Sequence, residues 1–248
     1  MTQAGPLRWR AGAGWLILAG GGRWEENETG EVDAAALGWA DLDRPTALLP
    51  TAGISTVQGE ALLDYYADLG GANGYVVPIF DAAGAQYKEN CRLLEQAGLI
   101  YIGDGPDAVG LARALRGSPA LQALARAFED GAVIVGMGAG AIALGAWLAD
   151  PDNPKRAEPG WGWLPDVIVE PHFAGTEAAG RLKRLLNAQS ASLVIVLWGW
   201  ASLSDRRWRW GLLARWRAWA SIGSQSCWVV CRSPLHLNND DCGVSVHE

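Results

Sequence analysis

The run Gly136-Met137-Gly138-Ala139-Gly140 has the spacing at which a strand turns sharply into a helix and presents one side chain at the bend. In G-x-S-x-G that side chain is a serine, held on a strained turn with its hydroxyl exposed for nucleophilic attack. Here the middle position is Gly138, which has nothing to attack with. The stretch Val133–Gly145 around it reads as a buried strand, a glycine-hinged turn and the start of a helix. It is either a catalytic turn that lacks its nucleophile or a glycine-rich turn and no more. Few other residues offer chemistry. Cys91 lies in the helical pattern "YKENCRLLEQAG", away from strand ends, and is expected to be structural. Asp104, Asp107, Asp150 and Asp152 are polar loop residues that could bind a ligand or cap a helix. Cys227, Cys231 and Cys242 with His236 and His247 raise the idea of zinc, but the spacing fits no standard finger. No metal or other cofactor is expected.

The elements that must position such a turn are legible as an alternation. Trp15–Ala19, Thr46–Leu49, Tyr75–Ile79, Leu99–Ile102 and Val133–Val135 are short, apolar and bounded by Gly, Pro or Asp. Between them, Val57–Leu69, Ala85–Ala97 and Pro119–Glu129 carry apolar residues at helical spacing, with Leu62, Tyr65, Tyr66 and Leu69 as one stripe. Nearly all-apolar strands alternating with helices imply a doubly wound, mostly parallel α/β sheet covered on both faces. Ligand sites in that architecture form at the carboxyl ends of the strands. The loops expected there are Gly20-Gly21-Gly22, Pro50-Thr51-Ala52-Gly53, Gly103-Asp104-Gly105 and the Gly136–Gly140 turn. Any one of them is explained by the glycine preference of tight turns. Four together point to one face where backbone approaches a ligand closely.

Composition narrows the function. The chain has 248 residues, 50% of them hydrophobic, enough for one large α/β domain. Its net charge of −7 and the absence of a polybasic tract argue against nucleic acid as a partner. Trp15–Ala19 behind Arg8 and Arg10 mimics a signal peptide, but the apolar run is short and reads better as a strand ended by a glycine turn. Gly131–Ala149 carries no charge and is long enough to suggest a membrane span, yet its glycines divide it into strand and helix. A cytoplasmic protein with no membrane partner is the expectation.

Five segments occur in order: "LILAGGG", "PTAG", "IYIGDGPDAVGLARALRGSP", "GAVIVGMGAGA" and "GWGWLPDVIVEPHF…GRLKRLLNA". Together, over about Trp15 to Asn187, they resemble the cyanophycinase and dipeptidase E family of serine peptidases, whose fold is similar to class I glutamine amidotransferases and thus flavodoxin-like. The family's elbow reads G-x-S-A-G-A, so the resemblance places the nucleophile at Gly138, where the serine is absent. It implies His172, in "EPHF", as the base; this is the only histidine before residue 236. It implies oxyanion donors from the backbone N–H of Ala139 and from the Gly103–Gly105 turn, with Asp104 in the same loop. Backbone donors survive a change of side chain.

The family's orienting acid belongs to a late strand of the type "LGLGI-x-E-x-x-A", and nothing after Asn187 matches it. Instead Trp198, Trp200, Trp208, Trp210, Trp216, Trp219 and Trp228 supply half of the chain's 14 tryptophans, in a run with neither clean helical nor clean strand period. Tryptophan has the single codon TGG. Sliding the frame back by one nucleotide across Trp198-Gly199-Trp200-Ala201 forces aliphatic, Gly, aliphatic, Gly, and Ser204 then permits Glu. The same slide across Trp208-Arg209-Trp210-Gly211 gives aliphatic, Ala or Glu, aliphatic, Gly. The pattern implies a one-nucleotide frameshift between about Asn187 and Trp198. The alternative is a real tryptophan-rich tail that binds lipid or a partner. The expected organisation is therefore a peptidase-like α/β domain over residues 1–190 and an aberrant, poorly packed tail over 191–248, with the last strands of the sheet lost.

Read this way, the resemblance implies a hydrolase of peptide or isopeptide bonds in small acidic peptides or cyanophycin-like polymer, crippled by loss of nucleophile and orienting acid. A non-catalytic protein that keeps the pocket and binds a peptide or anion is the second expectation. The partners expected are a small peptide and, in a homodimer, a second copy of the chain.

Overall fold

The computed structural model describes residues 14–149, 157–171, 193–196, 218–222 and 227–232. Five strands form the parallel core of a seven-stranded sheet: β1 (Trp15–Ala19), β2 (Thr46–Leu49), β3 (Gly74–Val76), β4 (Leu99–Ile102) and β5 (Val133–Met137). Their order is β3-β2-β4-β5-β1, which puts β5 between β4 and β1 near the middle of the sheet. Every residue of β2, β4 and β5 is buried. That is the reason these segments are apolar throughout rather than alternating: helices cover both faces.

The helices are α1 (Gly30–Trp39), α2 (Thr56–Asp68), α3 (Lys88–Gln96), α4 (Ala108–Leu115), α5 (Pro119–Glu129) and α6 (Ala139–Leu144). Ser55 starts α2 with a capping box, its hydroxyl taking the Gln58 N–H while the Gln58 side chain takes the Ser55 N–H. Ser118 and Pro119 start α5 in the same spirit, with Ser118 Oγ accepting from Leu121 N–H at 3.1 Å. The expected stripe on α2 holds for Leu62 and Tyr66, which are buried, but Leu69 lies past the helix end and is exposed; Leu63 is buried in addition. The helix expected over Ala85–Ala97 is broken: Gly84–Gln86 is a 3-10 turn, Tyr87 is extended, and α3 begins at Lys88.

A second sheet of four strands follows the elbow. It orders as β7 (Ala157–Pro159), β6 (Gly145–Ala149), β8 (Leu164–Glu170) and β9 (Leu193–Val196). The uncharged stretch Gly131–Ala149 is thus strand, helix and a further strand, and among the described residues no helix is long and apolar enough to cross a membrane. Helix α4 fastens this sheet to the main body. Arg113 pairs with buried Glu158 at 3.0 Å, Arg116 Nη1 donates to Pro159 O at 2.7 Å, and Trp161 Nε1 donates to Ala112 O at 3.2 Å.

Of the residues expected to form an aberrant tail, the backbone of β9, β10 (Ala218–Ile222) and β11 (Cys227–Arg232) is described. Strand β11 pairs antiparallel with β1, Trp15 opposite Arg232, and β10 pairs antiparallel with β11, so the sheet carries two strands from this segment where the sequence reading expected its last strands to be lost. The rest of that segment, with Cys242, His236 and His247, lies outside the described residues.

Candidate active site

The carboxyl ends of the central strands finish level. Ala19 is in register with Met137, Gly136 with Ile102, and Ile102 with Leu49. The loops that leave these ends are the ones expected from the sequence, and they are stitched together by backbone. Gly138 N–H donates to Ala19 O at 3.0 Å, tying the elbow to the Gly20–Gly22 loop. Gly103 N–H donates to Leu49 O at 3.3 Å and Asp107 N–H to Ala52 O at 3.1 Å, tying the loop after β4 to the loop after β2. Thr51 Oγ1 donates to Ile79 O at 2.5 Å and brings in the segment after β3.

The elbow is a strand-to-helix turn at Gly138, with φ 47° and ψ −104°. An L side chain is strained there and glycine is not. Helix α6 starts at the next residue, and Ile142 N–H closes onto Gly138 O at 3.0 Å. Close packing holds the turn down. A Cβ at Gly136 would meet Leu144 Cδ1 at 2.8 Å, and one at Gly140 would run into the Ile102 carbonyl, with Ile102 Cγ2 at 2.9 Å. The glycines flanking position 138 are therefore required by contact between α6, β5 and β4.

Asp104 occupies the middle of this arrangement. Its Oδ1 accepts from Gly105 N–H at 2.8 Å and from Ala139 N–H at 2.9 Å. Two backbone donors converging on one oxygen at such distances is the geometry that stabilises a developing oxyanion. Here the oxygen belongs to the protein's own carboxylate. Gly103 contributes its N–H to the sheet instead, and its Cα packs where a Cβ would strike Ile54. Asp107 is a helix cap: its carboxylate accepts from Gly110 N–H at 2.6 Å and starts α4. Cys91 is buried in α3, and burial pushes its thiol up, as for an inert structural cysteine. His172, Asp150 and Asp152 lie outside the described residues; β8, the strand that leads to His172, pairs parallel with β6, the strand after α6.

One buried polar cluster had no signal in the sequence. Asp33, in the first turn of α1, accepts from Thr29 Oγ1 at 2.7 Å, Tyr66 Oη at 2.5 Å and Tyr65 Oη at 3.1 Å. Burial raises the Asp33 carboxyl above its ordinary 3.8, against the lowering effect of the three hydroxyls. Burial, then the Asp33 charge, pushes the Tyr65 phenol up to about 12. The cluster ties α1, which follows the Gly20–Gly22 loop, to α2, which follows the Pro50–Gly53 loop. It braces two of the loops around the elbow from behind.

The fold and the elbow define a doubly wound α/β protein with a sharp strand–turn–helix junction at Gly138, at the carboxyl ends of the central strands. Residues 16–199 match peptidase family S51, and the chain belongs to that family. It is 29% identical over 160 residues to the cyanophycinases of Synechococcus elongatus and of Thermosynechococcus vestitus, an alignment covering 60% of this chain and 48% of each relative. The chain thus spans about half the length of the curated relatives it matches. The crystal structure of a peptidase from an acI-B1 Actinobacterium shares the fold, with TM-score 0.62, 24% identity and coverage of 76% of this chain and 82% of that one. A protein described as a peptidase E from Listeria monocytogenes EGD-e superposes with TM-score 0.50 and 16% identity, over 74% of this chain and 89% of that one.

Proposed function

We propose that this chain carries an S51 pocket for small acidic peptides or a cyanophycin-like polymer, and that it is crippled as a serine hydrolase. Family membership supports peptide hydrolysis as the ancestral chemistry, and the cyanophycinase relatives support an acidic peptide or isopeptide as the ligand. The observation that carries the reading is the elbow itself: the strand-to-helix turn is formed, and the residue at its bend, position 138, is a glycine. An acyl-enzyme needs a nucleophile at that point, so the residual enhancement of about 10³–10⁴ over water that binding and open oxyanion donors leave a serine peptidase without one is an upper bound for this chain. The family match ends at residue 199, inside the tryptophan-rich run, which supports the reading that the chain beyond it is out of frame and lacks the orienting acid.

A second reading is a non-catalytic peptide- or anion-binding protein that binds through the rest of the site; it is favoured by the donors of Gly105 and Ala139 being taken by the chain's own Asp104 carboxylate and so not open to a reacting carbonyl. Initial rates on acidic dipeptides and β-linked isopeptides, together with binding isotherms for the same compounds, separate the two. Turnover within the residual range supports the first reading, and saturable binding without turnover selects the second. Turnover at the rate of an intact serine peptidase overturns both. The nucleotide sequence across the codons for residues 187–205 tests the change of frame.

A further inference from the structure

Position 138 has no side chain, yet the room a side chain would take is filled. A Cβ built on Gly138 lands on the Asp104 carboxylate: Oδ1 and Cγ are nearest and Oδ2 follows at 2.5 Å, inside the 3.0 Å that real Cβ atoms essentially never cross. The same carboxylate holds both converging N–H donors through Oδ1. One fact concerns volume and the other hydrogen bonding, and they select the same residue. Asp104 is half-buried, at the exposed side of the loop after β4.

We infer that Asp104 is a built-in ligand of the oxyanion hole, and that Gly138 and Asp104 form a coupled pair. The carboxylate takes both the donors and the space of the missing nucleophile. While it is in place, neither a side chain at 138 nor a ligand oxygen can enter. The identity of the hole rests on the family reading above; its occupancy does not. Hydrogen bonds to an ionised acceptor are roughly twice as strong as neutral ones, so a neutral peptide carbonyl is a poor competitor for these donors. An external carboxylate matches the charge but must displace a group tethered one residue from one donor, at an effective concentration well above the millimolar range of flexible linkers. The ligand class that this site takes, once Asp104 is removed, is a small oxyanion: a carboxylate such as a peptide C-terminus, or a tetrahedral anion.

Two measurements test this. In the first, acetate is titrated against the ¹⁵N-labelled full chain and the Gly105 and Ala139 amide resonances are followed. In the native chain they should not respond at tens of millimolar acetate. In Asp104→Gly they should shift and saturate with at least tenfold tighter apparent binding. Equal responses in the two proteins, or no response in the variant, overturns the inference. The second is a thermal-unfolding cycle that keeps it testable if one variant is marginal. Gly138→Ala is introduced into the native chain and into Asp104→Gly, with Asp104→Ala as the alternative background. The cost of φ 47° for alanine is common to both legs and cancels, so the cycle isolates the collision. Gly138→Ala should lower the unfolding midpoint by several degrees more in the native background than in the variant one. Equal drops refute the coupling. Both readouts are independent of turnover, so failure here is separable from failure of the functional reading.

Discussion

Replacing Asp33 tests how the site is braced, because that carboxylate joins α1 to α2 through three hydroxyl donors. Asp33→Ala leaves the Tyr66 hydroxyl, on a fully buried ring, and the buried Thr29 hydroxyl without their acceptor. Each buried donor stranded in this way costs about 1–3 kcal/mol. Thr29 can swing toward a backbone carbonyl, and loss of the buried carboxylate relieves its own desolvation, so the net expectation is about 2–4 kcal/mol of destabilisation. Asp33→Asn keeps one acceptor and the volume and should cost about 1–2 kcal/mol near neutral pH. The pH dependence fixes the sign of the argument. The folded-state carboxyl titrates above its ordinary 3.8 because it is buried. Its contribution to stability is therefore fully present below 3.8 and is lost as pH rises through the higher folded value, since the unfolded chain ionises first. Urea unfolding of the native chain and of Asp33→Asn between pH 3 and 8 should show the native advantage largest at the acid end and shrinking upward. A native advantage that grows with pH would mean the cluster stabilises the ionised form, and the burial argument would be wrong. An Asp33→Ala variant within 0.5 kcal/mol of native would mean the brace is idle.

Three further outcomes follow from the same geometry. Gly140→Ala should destabilise by about 1–3 kcal/mol in chemical denaturation, because its Cβ meets the Ile102 carbonyl and the six-residue helix α6 must lift off β4. Gly138→Ser on its own should lower the unfolding midpoint and leave hydrolysis of acidic dipeptides in the residual range; full serine-peptidase rates from this single change would refute the blocked-site argument. Ser118→Ala removes the hydroxyl that accepts from Leu121 N–H and should cost about 1 kcal/mol, read by urea unfolding.

The parallel sheet was legible because its strands are buried on both faces. Leu99–Ile102 and Thr46–Leu49 emerge with the bounds the apolar runs suggest, and Pro119–Glu129 is announced by Ser118 and Pro119. Helices α1 and α4 were not legible, for different reasons. In "GEVDAAALGW" alanine and glycine leave the apolar stripe little contrast with the remainder. In "AVGLARAL" Val109, Leu111 and Leu115 do line the buried face, but the helix has only 8 residues, and its cap at Asp107 is equally the signal of a loop carboxylate. The second sheet was hidden for a different reason: β6 continues an uncharged run that starts in β5, and nothing in its composition marks where α6 stops.

At the elbow, the sequence shows the glycine at 138 and conceals what fills the space beside it. Gly138 stands out because the elbow's neighbours Gly136, Ala139 and Gly140 are fixed by contact and spacing, so the one free position is conspicuous. Asp104 does not stand out, because its role depends on which strand lies next to β5. Only the sheet order β4-β5-β1 brings the loop after β4 beside the elbow, and a span of 35 residues separates Asp104 from the N–H it binds at Ala139. Serine at 138 and the observed Asp104 rotamer cannot coexist, since both need the same volume. A chain with glycine at 138 and any small neutral residue at 104 would leave two converging N–H groups at the elbow without this acceptor, a cost of about 1–3 kcal/mol for each donor shielded from water. The carboxylate removes that cost within the chain. On the proposal above, glycine at 138 and the carboxylate at 104 are one physical feature of the elbow: Asp104 reaches the Gly105 and Ala139 donors through the volume that a side chain at 138 would need.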